Sequence, residues 1–301
     1  MRNRSVTARM LAGRTSAWRV FAVLALFVAG PDTNSVARGL DARDVEQPVI
    51  GRCTNRDMLG AFGFFGTGSV LASPVTGLAG QFGRVGRFTS DGNGHLAFDS
   101  RAAFNGIVFH QDFFGTYEMN PDCTFIAKVT LPFSHPSITP FTLVATFFGT
   151  MTAQGNEMYD LFADPPGVVI HGRGKKQLVS ECRDRDLAGS YQMNLAGSTV
   201  DLGFPLPFAG AGVLEADGRG RIEGKFTSNT GGFAVPSTFT GTSTVAPDCS
   251  FELAYCIKAA DGETCLRNYA VHGVFTNNGE SAYIIVLDPV TSVMIGELRL
   301  R

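Results

Sequence analysis

The sequence predicts an all-β protein made of two tandem antiparallel up-and-down barrels of about eight strands each, and three observations lead there. The first is an internal duplication. Cys53–Phe62 (CTNRDMLGAF) returns as Cys182–Tyr191 (CRDRDLAGSY), and Gly86–Leu96 returns as Gly212–Ile222 around a shared Asp-Gly-x-Gly. Pro121-Asp122-Cys123 matches Pro247-Asp248-Cys249, while Gly155, Tyr159, Asp164-Pro165 and Gly172 match Gly279, Tyr283, Asp288-Pro289 and Gly296. The offset drifts only from 129 to 124 residues, far longer than a solenoid repeat, so each copy reads as a domain with its own core. The second observation is alternation with period two: Cys123, Phe125, Ala127, Val129 and Leu131 share one face, and Cys249, Phe251, Leu253, Tyr255 and Ile257 repeat the pattern. The third is composition: 36 Gly in 301 residues exceeds the usual share and points to many tight turns.

Runs between turn signals place the strands of the first copy near 60–71, 84–90, 95–104, 112–120, 123–131, 141–151, 157–164 and 168–177. Asp91-Gly92 and Asp217-Gly218 sit between alternating runs, where a type I′ turn with positive φ at both central residues is expected. Gln154-Gly155-Asn156, Asn277-Asn278-Gly279 and the two Asp-Pro pairs punctuate the chain in the same way. Sequential strands with short hairpins leave two exposed edges unless the sheet closes, which favours the barrel. The alternative, a pair of β-sandwiches, needs longer crossing connections.

The domain reading is a signal peptide at 1–37, a linker at 38–52, barrel copy 1 at 53–181 and barrel copy 2 at 182–301. Arg2, Arg4, Arg9, Arg14 and Arg19 precede the apolar run Val20–Ala29, and small residues at Ser35 and Ala37 mark a cleavage point near Ala37. That run is half the length needed to cross a bilayer, so no integral span is expected in the mature chain; retention as an uncleaved anchor is the alternative. A secreted or periplasmic location follows. Removing five Arg and one Asp from a chain of net charge −2 leaves −6, without a basic footprint for nucleic acid.

All six cysteines lie beyond residue 37, and an even count behind a signal peptide implies disulfides. The duplication favours one bridge per copy, Cys53–Cys123 and Cys182–Cys249. Cys256 and Cys265 lack counterparts and flank a turn, so a local hairpin bridge is expected between them. Their spacings match no zinc pattern, and no metal site is assigned.

Asp57-x-x-Gly60-x-Phe62 and Asp186-x-x-Gly189-x-Tyr191 resemble the opening signature of the lipocalins, with Phe or Tyr in place of the family's Trp. Strand number and Gly/Phe richness are also similar to the allene oxide cyclase-like barrels. The resemblance covers about ten residues per copy in motif. It implies a calycin-like barrel that binds an apolar ligand and transfers no catalytic residue.

No nucleophile elbow, His-Glu-x-x-His or phosphate loop is present, so no catalytic residue and no cofactor is assigned. His95, His110, His135, His171 and His272 are scattered and do not recur between copies; Glu118 is expected at the surface. Asp91–Gly94 has too few carboxylates for a calcium loop. Tyr159 with Tyr283, and Phe125 with Phe251, occupy equivalent positions and are expected to point inward as cavity-lining candidates. The expected function is a secreted, non-catalytic tandem barrel whose partner is a small apolar ligand. The alternatives are a structural or surface-interaction module with an apolar patch near Phe204–Phe208 or Phe147-Phe148, and a barrel isomerase or cyclase. No protein partner is assigned. A sixteen-stranded outer-membrane barrel is disfavoured by the cystine pairs and by the lack of an aromatic girdle.

Overall fold

The computed structural model describes residues 52–73, 77–152, 154–201, 204–259, 262–289 and 291–301. The expected signal segment, and all of the linker but its last residue, lie outside the described residues. Barrel 1 is β1 (Gly60–Val70), β2 (Gly80–Ser90), β3 (His95–Phe104), β4 (Ile107–Met119), β5 (Thr124–His135), β6 (Ile138–Met151), β7 (Glu157–Asp164) and β8 (Val168–Lys176). Barrel 2 is β9 (Gly189–Asp201), β10 (Phe204–Ala216), β11 (Arg221–Thr230), β12 (Phe233–Val245), β13 (Ser250–Lys258), β14 (Cys265–Thr276), β15 (Ser281–Asp288) and β16 (Ser292–Leu300). Every strand pairs antiparallel with its neighbour in sequence, and pairing of β1 with β8 and of β9 with β16 closes each sheet. Closure leaves no free edge to template aggregation. No helix among the described residues is long and apolar enough to cross a membrane.

Strand positions follow the alternation read from the sequence, except that β2 and β4 begin earlier, at Gly80 and Ile107 rather than near 84 and 112, and two further differences concern the hairpins. β5 and β6 run on through Pro132 into a long hairpin. The β4–β5 ladder ends at Phe114↔Thr130, so Pro132 is paired on the β6 side alone, a position where its missing N–H costs little. The hairpin after β2 is not type I′, because neither Asp91 nor Asp217 has positive φ; Gly92 and Gly94, like Gly218 and Gly220, carry it. Asp91 Oδ1 instead accepts the backbone N–H of Asn93 and of His95, and those bonds hold its carboxyl down at about 2. Asp217 does the same with Arg219 and Arg221.

A 3-10 turn precedes each barrel, Asn55–Met58 and Asp184–Leu187, and caps its floor with buried Met58 or Leu187. The Cys53–Cys123 and Cys182–Cys249 bridges tie that segment to the turn before the fifth strand, closing loops of 70 and 67 residues. Cys256–Cys265 bridges the β13–β14 hairpin.

The barrels meet along an apolar seam of Val85 and Ala103 against Val274, Tyr283, Ile285, Val293 and Ile295. Glycine makes the approach close: a Cβ on Gly63 would lie 2.8 Å from Thr276 Cγ2, and one on Gly83 3.2 Å from Val293 Cγ1. Lys175 Nζ reaches Glu297 Oε1 at 3.2 Å, and Gln177 Nε2 donates to the Phe275 carbonyl at 3.0 Å.

Candidate ligand-binding cavity

The two interiors differ. Buried side chains of barrel 2 form one continuous core from Leu187 on the floor through Tyr191, Phe239, Phe251 and Phe275 to Phe208 and Met294. Those of barrel 1 fall into two clusters, a floor group around Phe62, Phe88 and Phe125 and an upper group around Phe82, Phe104 and Phe133. Alongside them runs a cavity of about 440 Å³, within the range of small-molecule sites. It reaches from Met58 on the floor to a rim formed by Ala72 and Ser73 after β1, Thr142 on β6, and Pro165 and Pro166 after β7. Twelve phenylalanines line it; apart from Ser73, Arg84, Thr142 and Asp160, every lining residue is apolar or glycine.

Arg84 sits on β2 between inward-facing Phe82 and Gly86, and only 7% of its surface is exposed. Its Nη2 donates to Gln111 Oε1, and Gln111 Nε2 in turn donates to the Pro132 carbonyl at 2.6 Å, which fixes the amide's orientation. The guanidinium carbon lies 5.0 Å from the Phe113 ring centre and 5.8 Å from that of Phe82, a favourable placement for a cation on aromatic faces. Nε has no hydrogen-bond partner among the described residues, and no carboxylate neighbours the group. Burial alone pushes the guanidinium down to about 9.

Asp160 faces inward from β7 between Met158 and Phe162 and lines the cavity. Burial pushes its carboxyl up to about 7, with no neighbouring charge contributing. Its side chain lies across Gly172, where a Cβ would come 2.8 Å from Oδ1.

Register ties these two groups together. Arg84 pairs with Gly66, Gly66 with Gly172, and Gly172 with Asp160, so one row across β2, β1, β8 and β7 reads Arg-Gly-Gly-Asp. The Asp160 carboxyl covers Gly172, while the bare backbone at Gly66 lines the cavity and leaves room for a guest between the two polar side chains. The equivalent row of barrel 2 is Gly210-Leu195-Gly296-Ile284. There Leu195 covers Gly296, and the Phe226 ring occupies the space over Gly210.

Of the four aromatic candidates, Phe125 lines the cavity near its floor, and Phe251 is buried in the filled core of barrel 2, 4.8 Å from Phe275. The inward orientation expected for the tyrosines is corrected. Tyr159 is 49% exposed on the outer face and donates its hydroxyl to Glu157 Oε1 at 3.1 Å. Tyr283 is buried outside barrel 2, in the seam, 4.9 Å from Phe65. The inward phase of β7, Met158, Asp160 and Phe162, is interrupted by a charged residue, which makes the outward Tyr159 and Leu161 look like the core set.

Arg84, Gln111 and Asp160 were missed by sequence reasoning, although a charged residue in phase with Phe82 and Phe88, or with Met158 and Phe162, breaks the alternation visibly. Phe148 is exposed on the outer face, whereas Phe208 is buried and Phe147 packs inward; the Phe204 side chain lies outside the described residues. Glu118 is at the surface, as expected. His110 lies 3.0 Å from Asp99 and 3.7 Å from Asp112 in an exposed group, and buried His272 bonds Glu252 at 2.9 Å.

No family model and no curated protein matches this chain. Among solved structures it is similar to isotype 1 transferrin binding protein B from serogroup B Neisseria meningitidis, with 6% identity and a TM-score of 0.30 over 80% of this chain and 76% of that one. A point mutant of transferrin binding protein B from Haemophilus parasuis gives 9%, 0.29, 80% and 75%. A protein of unknown function from the DUF3598 family of Nostoc punctiforme gives 11%, 0.23, 83% and 100%. At such TM-scores these likenesses carry no argument about function.

Proposed function

We propose that this chain is an exported binding protein whose first barrel holds one small, largely apolar molecule while the second is a filled structural partner. The observation that carries this reading is the phenylalanine-lined cavity of about 440 Å³ in barrel 1, set against a continuous core at the same level of barrel 2. Burying apolar ligand surface against such a wall contributes roughly 25 cal/mol per Å² before the costs of association. The lipocalin-like opening motif supports the same reading. Export is supported by the Arg-led apolar segment at 1–37 and by three disulfides, which persist in oxidising compartments; intact mass of the exported protein measures cleavage at Ala37.

The test is Gly66→Leu, which gives barrel 1 the side chain that barrel 2 has at Leu195. A Cβ at Gly66 meets nothing closer than 3.6 Å, so the first carbon of the new side chain is accommodated in ordinary contact where Gly66 lines the cavity. Wild-type protein is expected to bind one molecule of the uncharged dye N-phenyl-naphthylamine, seen as increased fluorescence, and Gly66→Leu to lose it while keeping its melting temperature. Undiminished binding by a folded Gly66→Leu protein contradicts the proposal.

A second reading, barrel isomerase or cyclase, is favoured by one observation: Asp160 holds a proton near neutral pH within an apolar pocket that also contains a cation. It predicts deuterium uptake from heavy water into the bound molecule, lost in Asp160→Asn; binding without exchange leaves the carrier reading alone.

A further inference from the structure

Resting on the carrier reading above, we propose that the molecule held by barrel 1 is an amphiphile with an oxyanion head, seated on Arg84, with its hydrocarbon part along the phenylalanine wall. A guanidinium taken out of water without a counter-charge is costly, and the cost is relieved by a partner that brings negative charge and acceptor oxygens. Arg84 has such a vacancy: one nitrogen is committed to Gln111 and Nε is unpartnered. Gln111 is itself anchored by the Pro132 carbonyl, so the cation is held in place before any ligand arrives. Arg84 is the one basic side chain lining the cavity among the described residues. A cationic head would oppose it, and a hydrocarbon without a head would leave it unpaired.

The bare backbone at Gly66, which lines the cavity, provides space for the head group, and Asp160, whose carboxyl lies over Gly172, borders that space from the far side. In its protonated state Asp160 donates an O–H to the head, and once ionised it repels it. Uptake therefore weakens as pH rises through the titration of Asp160. The titratable groups nearest to Asp160 on its own strand and on β8, namely Glu157, Tyr159, His171 and Arg173, occupy outward positions, with Glu157 paired to Arg173. On β6 the residues paired around Asp160 are Phe148, Gly149 and Thr150, none of which titrates. Arg84 is then the charge that shares the cavity with Asp160.

The experiment is displacement of N-phenyl-naphthylamine from the full chain by palmitate, dodecyl phosphate, hexadecanol and hexadecyltrimethylammonium. Binding of the dye reports the cavity itself, so its absence defeats the carrier reading, whereas the ranking of competitors tests the head group. One charge-assisted hydrogen bond favours an oxyanion by about tenfold or more. At about pH 6, palmitate or dodecyl phosphate is expected to displace the dye at least about tenfold better than hexadecanol, and which of the two wins identifies a carboxylate or a phosphate source. Arg84→Met is expected to bind dye and lose that preference, while Arg84→Lys, which keeps the charge, retains part of it. Raising the pH to about 8.5 is expected to weaken palmitate by about tenfold in the wild type and not in Asp160→Asn. Hexadecanol or the ammonium competing as well as the better of the two oxyanions in the wild type overturns the proposal, as does an unchanged preference in Arg84→Met.

Discussion

The two barrels share strand order, register and bridge placement, yet one is hollow and the other full, and a single row of residues shows how. Arg84-Gly66-Gly172-Asp160 in barrel 1 stands where barrel 2 has Gly210-Leu195-Gly296-Ile284. Both rows contain two glycines, but only one is at an equivalent position. In barrel 2 the glycine at 210 admits the Phe226 ring, and Leu195 and Ile284 complete the packing. In barrel 1 the equivalent of Phe226 is Ser100, fully buried and in contact with Gly86, so no ring enters the row. An eight-stranded barrel is just wide enough for its own side chains; whether it holds a guest is decided by few positions rather than by the fold.

This contrast can be broken experimentally. Gly210→Arg transplants the cation of barrel 1 into an interior already occupied by Phe226, with neither space nor a counter-charge. A loss on the order of 5 kcal/mol in urea unfolding is expected, and an unperturbed protein would mean that barrel 2 has room. Asp160→Asn sharpens the other side. The folded carboxyl titrates at about 7 against an ordinary value of 3.8, so between those values the native state holds a proton that the unfolded chain has released. Wild-type stability therefore falls as pH rises from about 4 to about 7 and is level above that. Asp160→Asn removes the dependence, and its advantage should be on the order of 4 kcal/mol at about pH 8 and near zero at about pH 4. Equal pH profiles for both proteins would show that Asp160 is solvated.

The bridges test what the barrels have in common. Loops of 70 and 67 residues predict nearly equal losses, about 4 kcal/mol each, for paired Cys→Ala replacement at Cys53 with Cys123 and at Cys182 with Cys249; clearly unequal denaturant midpoints would show that one barrel depends on its bridge more. The smallest effect is expected in the seam, where the Tyr283 hydroxyl is buried without a hydrogen-bond partner among the described residues. Tyr283→Phe should gain about 1 kcal/mol in thermal unfolding.

Much of this architecture was legible in the sequence. The duplicated Cys, Gly and Asp-Gly positions led to two closed barrels and to the Cys53–Cys123 and Cys182–Cys249 bridges, because turns and bridges are set by local chemistry that copies faithfully, and the turn flanked by Cys256 and Cys265 led to the third. What alternation could not supply was which of two phases faces inward. The outer faces of β1, β2 and β14 to β16 are themselves apolar because they meet the other barrel, so Tyr283 reads as core while lying outside it. In β7 the inward phase carries a charge, and Tyr159 and Leu161 outside look more like core than Asp160 does. Hollow and filled interiors were likewise indistinguishable from one copy alone. Comparing the copies position by position, Arg84 with Gly210 and Asp160 with Ile284, exposes the difference, since like positions in a duplicated fold should otherwise keep like polarity.

The most direct test of that difference is independent of any ligand's chemistry: crystals pressurised with xenon, which occupies dry apolar cavities, read by anomalous scattering. Xenon inside barrel 1 beside Phe98 and Phe147, and none within barrel 2, is the result expected. Xenon within both barrels, or in neither, would contradict the division into one hollow and one filled barrel.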